Sequence, residues 1–404
     1  MKRRVVITGI GVISALGHNS SDFWQSLRDG QSGIGPITSV DRTQLRLQNG
    51  AEVRNFNPLN HFEPKRIELL DRFAQFGLIA AREAVNGACI KWTQDLRERT
   101  SIVTGSCVGG QTSEDQAFMD VYRNQRKNIH PLTVPRVMAS AAASHISIEF
   151  GINGPAYTLS TACSSASHAI GLAFWMVRHG MTEMALAGGS EAPFSLGHLK
   201  AWDAIRAVSP DTCRPFSKNR RGMILAEGGA MIIIEPLEAA LARGVHIYAE
   251  IVGFGMSSDA HHITQPLAAG AERAIRAVLQ DAELQPRQIG YINAHGTGTA
   301  ANDPMEISAI RSVFGDHAEQ MALSSTKSMH GHALGAAGAI EAVATILALQ
   351  HGILPPTANF TELDPECNFD VIPNKARLHQ VEYALSNSFA FGGLNTVLAF
   401  RRWD

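Results

Sequence analysis

Three residues of the 404-residue chain sit in settings suited to covalent chemistry. Cys163 lies in Thr-Ala-Cys-Ser-Ser, where Ala156 to Ala162 reads as a strand and Ser164 onward as a helix rich in Ala, Ser and Gly. A thiol at such a junction meets unpaired N–H groups and the positive end of the helix dipole, which favour the nucleophilic thiolate. His295 ends a strand in Tyr-Ile-Asn-Ala-His-Gly-Thr-Gly-Thr, and His332 follows another in Ser-Ser-Thr-Lys-Ser-Met-His-Gly-His, with Lys327 five residues before it. One histidine in a glycine-rich loop says little; two of them with a junction cysteine form a nucleophile with convergent polar partners. Ser386 to Asn395, Ser-Asn-Ser-Phe-Ala-Phe-Gly-Gly-Leu-Asn, reads as a glycine loop before a strand, its backbone N–H groups free to complete an oxyanion hole.

These residues need a frame that brings distant strand tips together. Short β-branched runs at Val5 to Thr8, Ser101 to Thr104, Met184 to Ala187, Ala230 to Ile234, Ile289 to Asn293 and Thr396 to Phe400 read as strands alternating with small-residue helices. Continuous apolar runs such as Met231-Ile-Ile-Ile suit strands covered on both faces, which predicts a layered α/β fold. Cys163 to Gly180 echoes His332 to Gly352, each a small-residue helix ending in His-Gly. Duplication would produce that echo, and so would the packing demands on any buried Ala/Gly-rich helix.

Composition removes several function classes. Lys plus Arg number 35 against 37 Asp plus Glu, so no strong charge points to nucleic acid or a membrane surface as bulk partner. The five cysteines are scattered with no C-x-x-C pair, which speaks against disulfides or a zinc ribbon and for a reducing compartment. The first residues lack a signal peptide's apolar core, and no apolar stretch runs uninterrupted for the roughly 20 residues of a membrane span, so a cytoplasmic protein is expected. Gly9-Ile-Gly11 follows a strand but Ser14 stands where a dinucleotide fingerprint needs glycine, and His330, His332, His261 and His262 lack the carboxylates of a metal motif. Neither a nicotinamide cofactor nor a metal is expected.

In order, Thr161-Ala-Cys-Ser-Ser, Ala187-Gly-Gly-Ser-Glu191, Arg214-Pro-Phe-Ser, Ala226-Glu-Gly-Gly, His295-Gly-Thr-Gly-Thr, Ser325-Thr-Lys-Ser, Gly331-His-Ala-Leu-Gly-Ala-Ala-Gly and Phe391-Gly-Gly resemble the motifs of β-ketoacyl-[acyl-carrier-protein] synthases from end to end. The resemblance is closest to the elongating type II enzymes of fatty acid and polyketide synthesis, and Ser209 to Ser217 is similar to nodulation-type ketosynthases. It implies a thiolase-like fold of two similar halves in five αβαβα layers, here residues 1–245 and 246–404, and a dimer.

The resemblance also implies an acyltransferase. An acyl chain moves from the phosphopantetheine of acyl carrier protein to Cys163, malonyl-carrier protein is decarboxylated, and a β-ketoacyl thioester two carbons longer results, with no cofactor beyond that carried arm. His295 and His332 would hold the malonyl thioester oxygen, Lys327 would orient them, and the amides of Cys163 and Phe391 would hold the oxyanion. Thr297 and Thr299 would bind the pantetheine arm, Val108 would floor the acyl pocket, Phe389 would line the site and Glu341 would support it. Lys65, Arg66, Arg126, Lys127 and Arg206 would receive the acidic carrier. Ala390 departs from the glycine usual in the housekeeping enzymes, so bulk fatty-acid specificity does not carry over. A thiolase would need a second cysteine in the Phe389 to Gly393 loop, a starter-type synthase would pair His with Asn, and a non-catalytic chain-length factor would lack Cys163. The partner in the dimer is a second copy or a chain-length-factor-like subunit.

Overall fold

The computed structural model describes residues 2–404. The strands of its main sheet fall into two sets of five. The first is β1 (Val5–Ser14), β2 (Thr100–Gly105), β3 (Ala156–Leu159), β4 (Met184–Glu191) and β5 (Gly228–Pro236). The second is β6 (Ala249–Ser258), β7 (Ile289–Asn293), β8 (Ala322–Ser324), β9 (Tyr383–Ala390) and β10 (Leu394–Arg402). They pair in the order β3-β2-β4-β5-β1 and β8-β7-β9-β10-β6, so one connectivity occurs twice. β1 and β6 meet antiparallel through Val5, Val6 and Ile7, which joins the sets into one ten-stranded sheet.

Helices cover both sets. α1 (Arg72–Gly87) packs on the outer face of the first set, while α4 (Ala268–Asp281) and α5 (Asn302–Phe314) cover the outer face of the second. Between the sets lie α2 (Ser165–Arg178) and α6 (Ala337–His351), each touching strands of both, which gives the five αβαβα layers. α3 (Leu196–Ile205) stands apart, beside the site. A helix between two sheets has no solvent face, and α6 accordingly carries small and apolar residues all round. By length and composition Leu334–His351 would pass for a membrane span, although Glu341 and two glycines interrupt it, and 89% of it is buried inside this fold.

Close approach explains the glycines that mimic a cofactor motif. A methyl at Gly9 or Gly11 would collide with the carbonyl oxygens of Ala84 and Ala80, so these glycines let α1 lie directly on β1. Gly338 does the same in the middle layer, where added bulk would strike Ser167 of α2. That contact sets the starts of α2 and α6 side by side, with Ser167 Oγ also 2.8 Å from Ser388 Oγ of β9.

β6 and β9 were not foreseen as strands. Ser386, Asn387 and Ser388 read as loop because they are polar, but they are buried in the middle of β9. Asn387 Nδ2 donates to Glu306 of α5 at 3.0 Å, which partners one of the polar groups that hid the strand. The turn is confined to Phe391, Gly392 and Gly393, and both glycines have positive φ, 82° and 68°. Ala390 is the last residue of β9 and is paired with Leu394.

Candidate active site

The junction foreseen at Cys163 is present: β3 ends at Leu159, and α2 starts at Ser165. Ala162 has φ of +50°, a left-handed conformation that costs a non-glycine residue about 1–3 kcal/mol and aims the next side chain out of the turn. Ser165 Oγ accepts from Thr161 N–H at 2.9 Å and donates to Ala162 O at 2.6 Å, which holds the strained turn.

His295 is fixed from below by α5. Glu306 accepts from the N–H groups of His295 and Gly296 at 2.9 and 2.8 Å. Asp303, one turn earlier, accepts from Gly298 and Phe216 N–H. His332 is clamped by the strand-like segment at Ile224 to Ala226: its N–H donates to Ile224 O at 2.7 Å, and its carbonyl accepts from Ala226 N–H at 3.0 Å. Leu334 N–H donates to His332 Nδ1 at 3.2 Å, which leaves the proton on Nε2. The two imidazoles stand edge to face, 5.5 Å between centroids, and Phe389 packs on His295 at 6.1 Å.

His295 Nδ1 and His332 Nε2 are buried without a hydrogen-bond partner. Buried polar atoms are rarely left so, and where they are, the site commonly awaits a ligand. Burial, with the charge of Lys327, holds both rings well below the ordinary histidine range, so they are neutral N–H donors at pH 7. Lys327 is wholly buried and bonded to Glu341 of α6. Burial pushes that carboxyl up to about 7 while Lys327 pulls it back. Glu341, expected to support the site, is the counter-ion of Lys327 and lies outside the cavity lining.

These groups open on one cavity of about 440 Å³ lined by Cys163, His295, Thr297, Thr299, His332, Phe389 and Phe391, with Ala390, Asn302 and Met223. Thr297 and Thr299 share a hydrogen bond at 2.9 Å. The main-chain N–H groups of Phe391 and Cys163 lie near enough to the Cys163 sulfur to favour its thiolate form. Val108 is not in the lining; its N–H goes to Glu191, which also takes the N–H groups of Cys107 and Gly335. Of the five basic residues expected to receive a carrier, Arg206 sits at the rim between the lining residues Ile205 and Ala207. Arg66 is committed to Glu149, Arg126 to Asp120, and Lys65 and Lys127 are exposed away from the lining.

Glu306, Asn302 and the rim segment His262 to Pro266 were missed. An acidic residue on a helix carries no local mark of what it will cap. His262 was weighed only as a metal ligand; instead its Nδ1 accepts from Thr264 and Gln265 N–H and shapes the rim. Among the described residues no group of three or more metal-ligating side chains converges.

One expectation fails on energy. Burial pushes the Cys163 thiol up to about 11, although Lys327 and the Phe391 and Cys163 amides pull it down. Desolvation outweighs the helix terminus, so the resting group is a thiol. Alkylation of Cys163 by iodoacetamide, followed by peptide mass spectrometry, should accelerate about tenfold per pH unit from pH 7 to 9. A plateau below pH 8 would show a preformed thiolate.

Residues 2–240 match the model of the β-ketoacyl synthase N-terminal domain, and residues 248–361 that of its C-terminal domain. The chain therefore belongs to the β-ketoacyl synthase family and is an acyl-transferring enzyme of fatty acid or polyketide-type condensation. It is 45% identical over 402 residues to nodulation protein E of Rhizobium sp. (strain N33), covering 100% of both chains. It is 40% identical to 3-oxoacyl-[acyl-carrier-protein] synthase 2 of Synechocystis sp., over 100% of this chain and 99% of that one. Among solved structures it superposes on the ishigamide ketosynthase/chain length factor with a TM-score of 0.94 and 37% identity, over 100% of both chains.

Proposed function

We propose that the chain condenses an acyl group held on Cys163 with a malonyl unit, both delivered by acyl carrier protein. The observation that carries this reading is the convergence on a single cavity of one thiol and two histidines, each with a ring nitrogen that has no hydrogen-bond partner. In the first half-reaction the sulfur attacks the acyl thioester carbonyl. The Phe391 and Cys163 amides hold the oxyanion, and the pantetheine sulfur departs with the proton that Cys163 gave up. In the second, the malonyl thioester oxygen accepts from His295 and His332, carbon dioxide leaves, and the enolate carbon attacks the Cys163 thioester, which returns the sulfur.

Thr297 and Thr299 hydrogen-bond the pantetheine arm, and Lys327, balanced by Glu341, keeps both imidazoles neutral. Arg206 at the rim, with Lys65, Arg66, Arg126 and Lys127, meets the acidic carrier. Val108, behind the nucleophile on the Glu191-capped loop, acts on the acyl end through its neighbours. The substrates bring their own phosphopantetheine, no metal takes part, and the protein works in the cytoplasm. The chain divides at about residue 245 into the cysteine-bearing and histidine-bearing halves, and it works as a dimer through the open edge of β3, with a second copy or a chain-length-factor-like subunit. Light scattering of the purified chain alone separates the two arrangements. Incubation with acyl- and malonyl-carrier protein should yield a β-ketoacyl product two carbons longer; return of the acyl chain unextended, whatever its length, contradicts the proposal.

A further inference from the structure

Glu191 is wholly buried, and no step of the condensation uses it. β4 pairs with β2 as far as Gly189 and Gly105, so Glu191, the last residue of β4, stands two residues beyond the final pair. Gly189 faces α2, where an added methyl would lie 2.9 Å from Ala166 Cβ, and side chains two apart on a strand share a face. Glu191 therefore points into the middle layer. Its partners there are hydrogen-bond donors: Ser106 Oγ donates to one carboxylate oxygen at 3.0 Å, and the N–H groups of Cys107 and Gly335 donate to the other at 2.6 and 3.1 Å. The N–H of Val108 is a fourth. Burial of a carboxylate is tolerated only where such bonds compensate it, so the carboxylate and its donors hold one another in place.

These donors come from two distant parts of the chain. The loop Ser106 to Val108 backs the nucleophile: the Cys107 carbonyl accepts from Ser160 Oγ at 3.1 Å, and the Cys107 thiol lies beside the Ser165 hydroxyl that holds the Ala162 turn. Gly335 belongs to the segment that carries His332, one residue past Leu334, whose N–H fixes His332 Nδ1. The two parts touch without a gap, since a Cβ on Gly335 would lie 2.3 Å from the Cys107 nitrogen and 2.5 Å from Glu191 Oε2. Each reacting group also has a support of its own, Ser165 for the Cys163 turn and the Ile224 to Ala226 segment for His332. Glu191 is a bond between the two supports.

We infer that Glu191 is a positioning residue that ties the loop behind Cys163 to the His332 segment and so sets the separation across which the malonyl-derived enolate reaches the Cys163 thioester. The inference rests on the condensing function proposed above. The step it governs forms the bond between the enolate carbon and the acyl carbonyl carbon and breaks the bond from that carbonyl to sulfur, which leaves as thiolate and takes a proton from water. Acylation needs only the Cys163 side and decarboxylation only the histidine side, so both survive a change in separation. Carbon–carbon bond formation does not, and an enolate that fails to reach the thioester is protonated to acetyl-carrier protein.

The test is the carbon dioxide released per β-ketoacyl product formed by the whole protein from octanoyl- and malonyl-carrier protein, with Cys163 acylation read separately by intact mass. In Glu191→Ala, condensation should fall about tenfold to a hundredfold, the cost of misplacing reacting atoms by about 1 Å, while acylation and decarboxylation stay within about threefold of wild type. The excess carbon dioxide should be matched by acetyl-carrier protein. Gly335→Ala keeps the carboxylate and forces the two segments apart, on a helical backbone that alanine adopts readily, and should uncouple in the same way. Glu191→Gln should restore the wild-type ratio, because its amide oxygen accepts from Cys107 and Gly335 N–H and its NH2 turns to Ser106 Oγ, a hydroxyl that also accepts. The two partial reactions report that each variant is folded. A wild-type ratio in Glu191→Ala and Gly335→Ala overturns the inference. So does an equal fall of all three activities, which would mark Glu191 as merely structural, or a failure of Glu191→Gln to restore the ratio. If the wild-type protein itself forms no condensed product, the condensing function is what fails, and the inference with it.

Discussion

His332→Ala lowers malonyl decarboxylation about 10²- to 10³-fold, the usual effect of deleting one donor to a developing oxyanion. Cys163→Gln should retain that reaction, because the enolate forms at the histidines and not at the sulfur. The basis is the separation of roles in the cavity. His332 presents Nε2–H, buried and unpartnered, while its Nδ1 is taken up by Leu334 N–H. Cys163 lies on the other half of the fold with its own pair of amides. Release of carbon dioxide from malonyl-carrier protein, measured for both variants, checks the division. Equal loss in the two would mean that thiol and imidazole act as one unit.

Lys327→Met destabilises the fold by about 1–3 kcal/mol, since Glu341 loses its partner, takes up a proton and is left without a hydrogen-bond partner in the interior. Neither side chain of this pair reaches solvent, so no water replaces the lost partner. Lys327→Met with Glu341→Leu should recover most of that stability, because both charges leave together. The double variant should still differ from wild type in its pH dependence. Lys327 lowers the pKa of both histidines, so removing it raises them. Protonation places a proton on His332 Nδ1, which must then give up Leu334 N–H and turn the ring. Activity is thus lost on the acid side as pH falls through the histidine pKa, and that limb moves to higher pH in the double variant. Urea unfolding and a pH–rate profile of decarboxylation check the two parts; an unmoved acid limb would show that Lys327 serves stability alone.

The sequence disclosed the reacting atoms better than their supports. Cys163 and His295 each follow a strand end, and His332 follows a short helical turn, Lys327–His330, all beside small residues, a local signature that survives without knowledge of the fold. Glu306 carries no such signature, because its task of capping the His295 loop exists only once α5 packs beneath β7. β9 was hidden by its own polar residues, whose partners lie on other elements. The thiol went wrong for the converse reason: the helix terminus is visible in sequence, while the burial that outweighs it is not.

The central claim is that Cys163 accepts the acyl chain. Intact-protein mass spectrometry after incubation with acyl-carrier proteins of graded chain length tests it most directly. The account predicts a single acyl adduct that maps to the Cys163 peptide, is released by neutral hydroxylamine and is absent from Cys163→Gln. No adduct at any chain length, or an adduct that persists in Cys163→Gln, would contradict it.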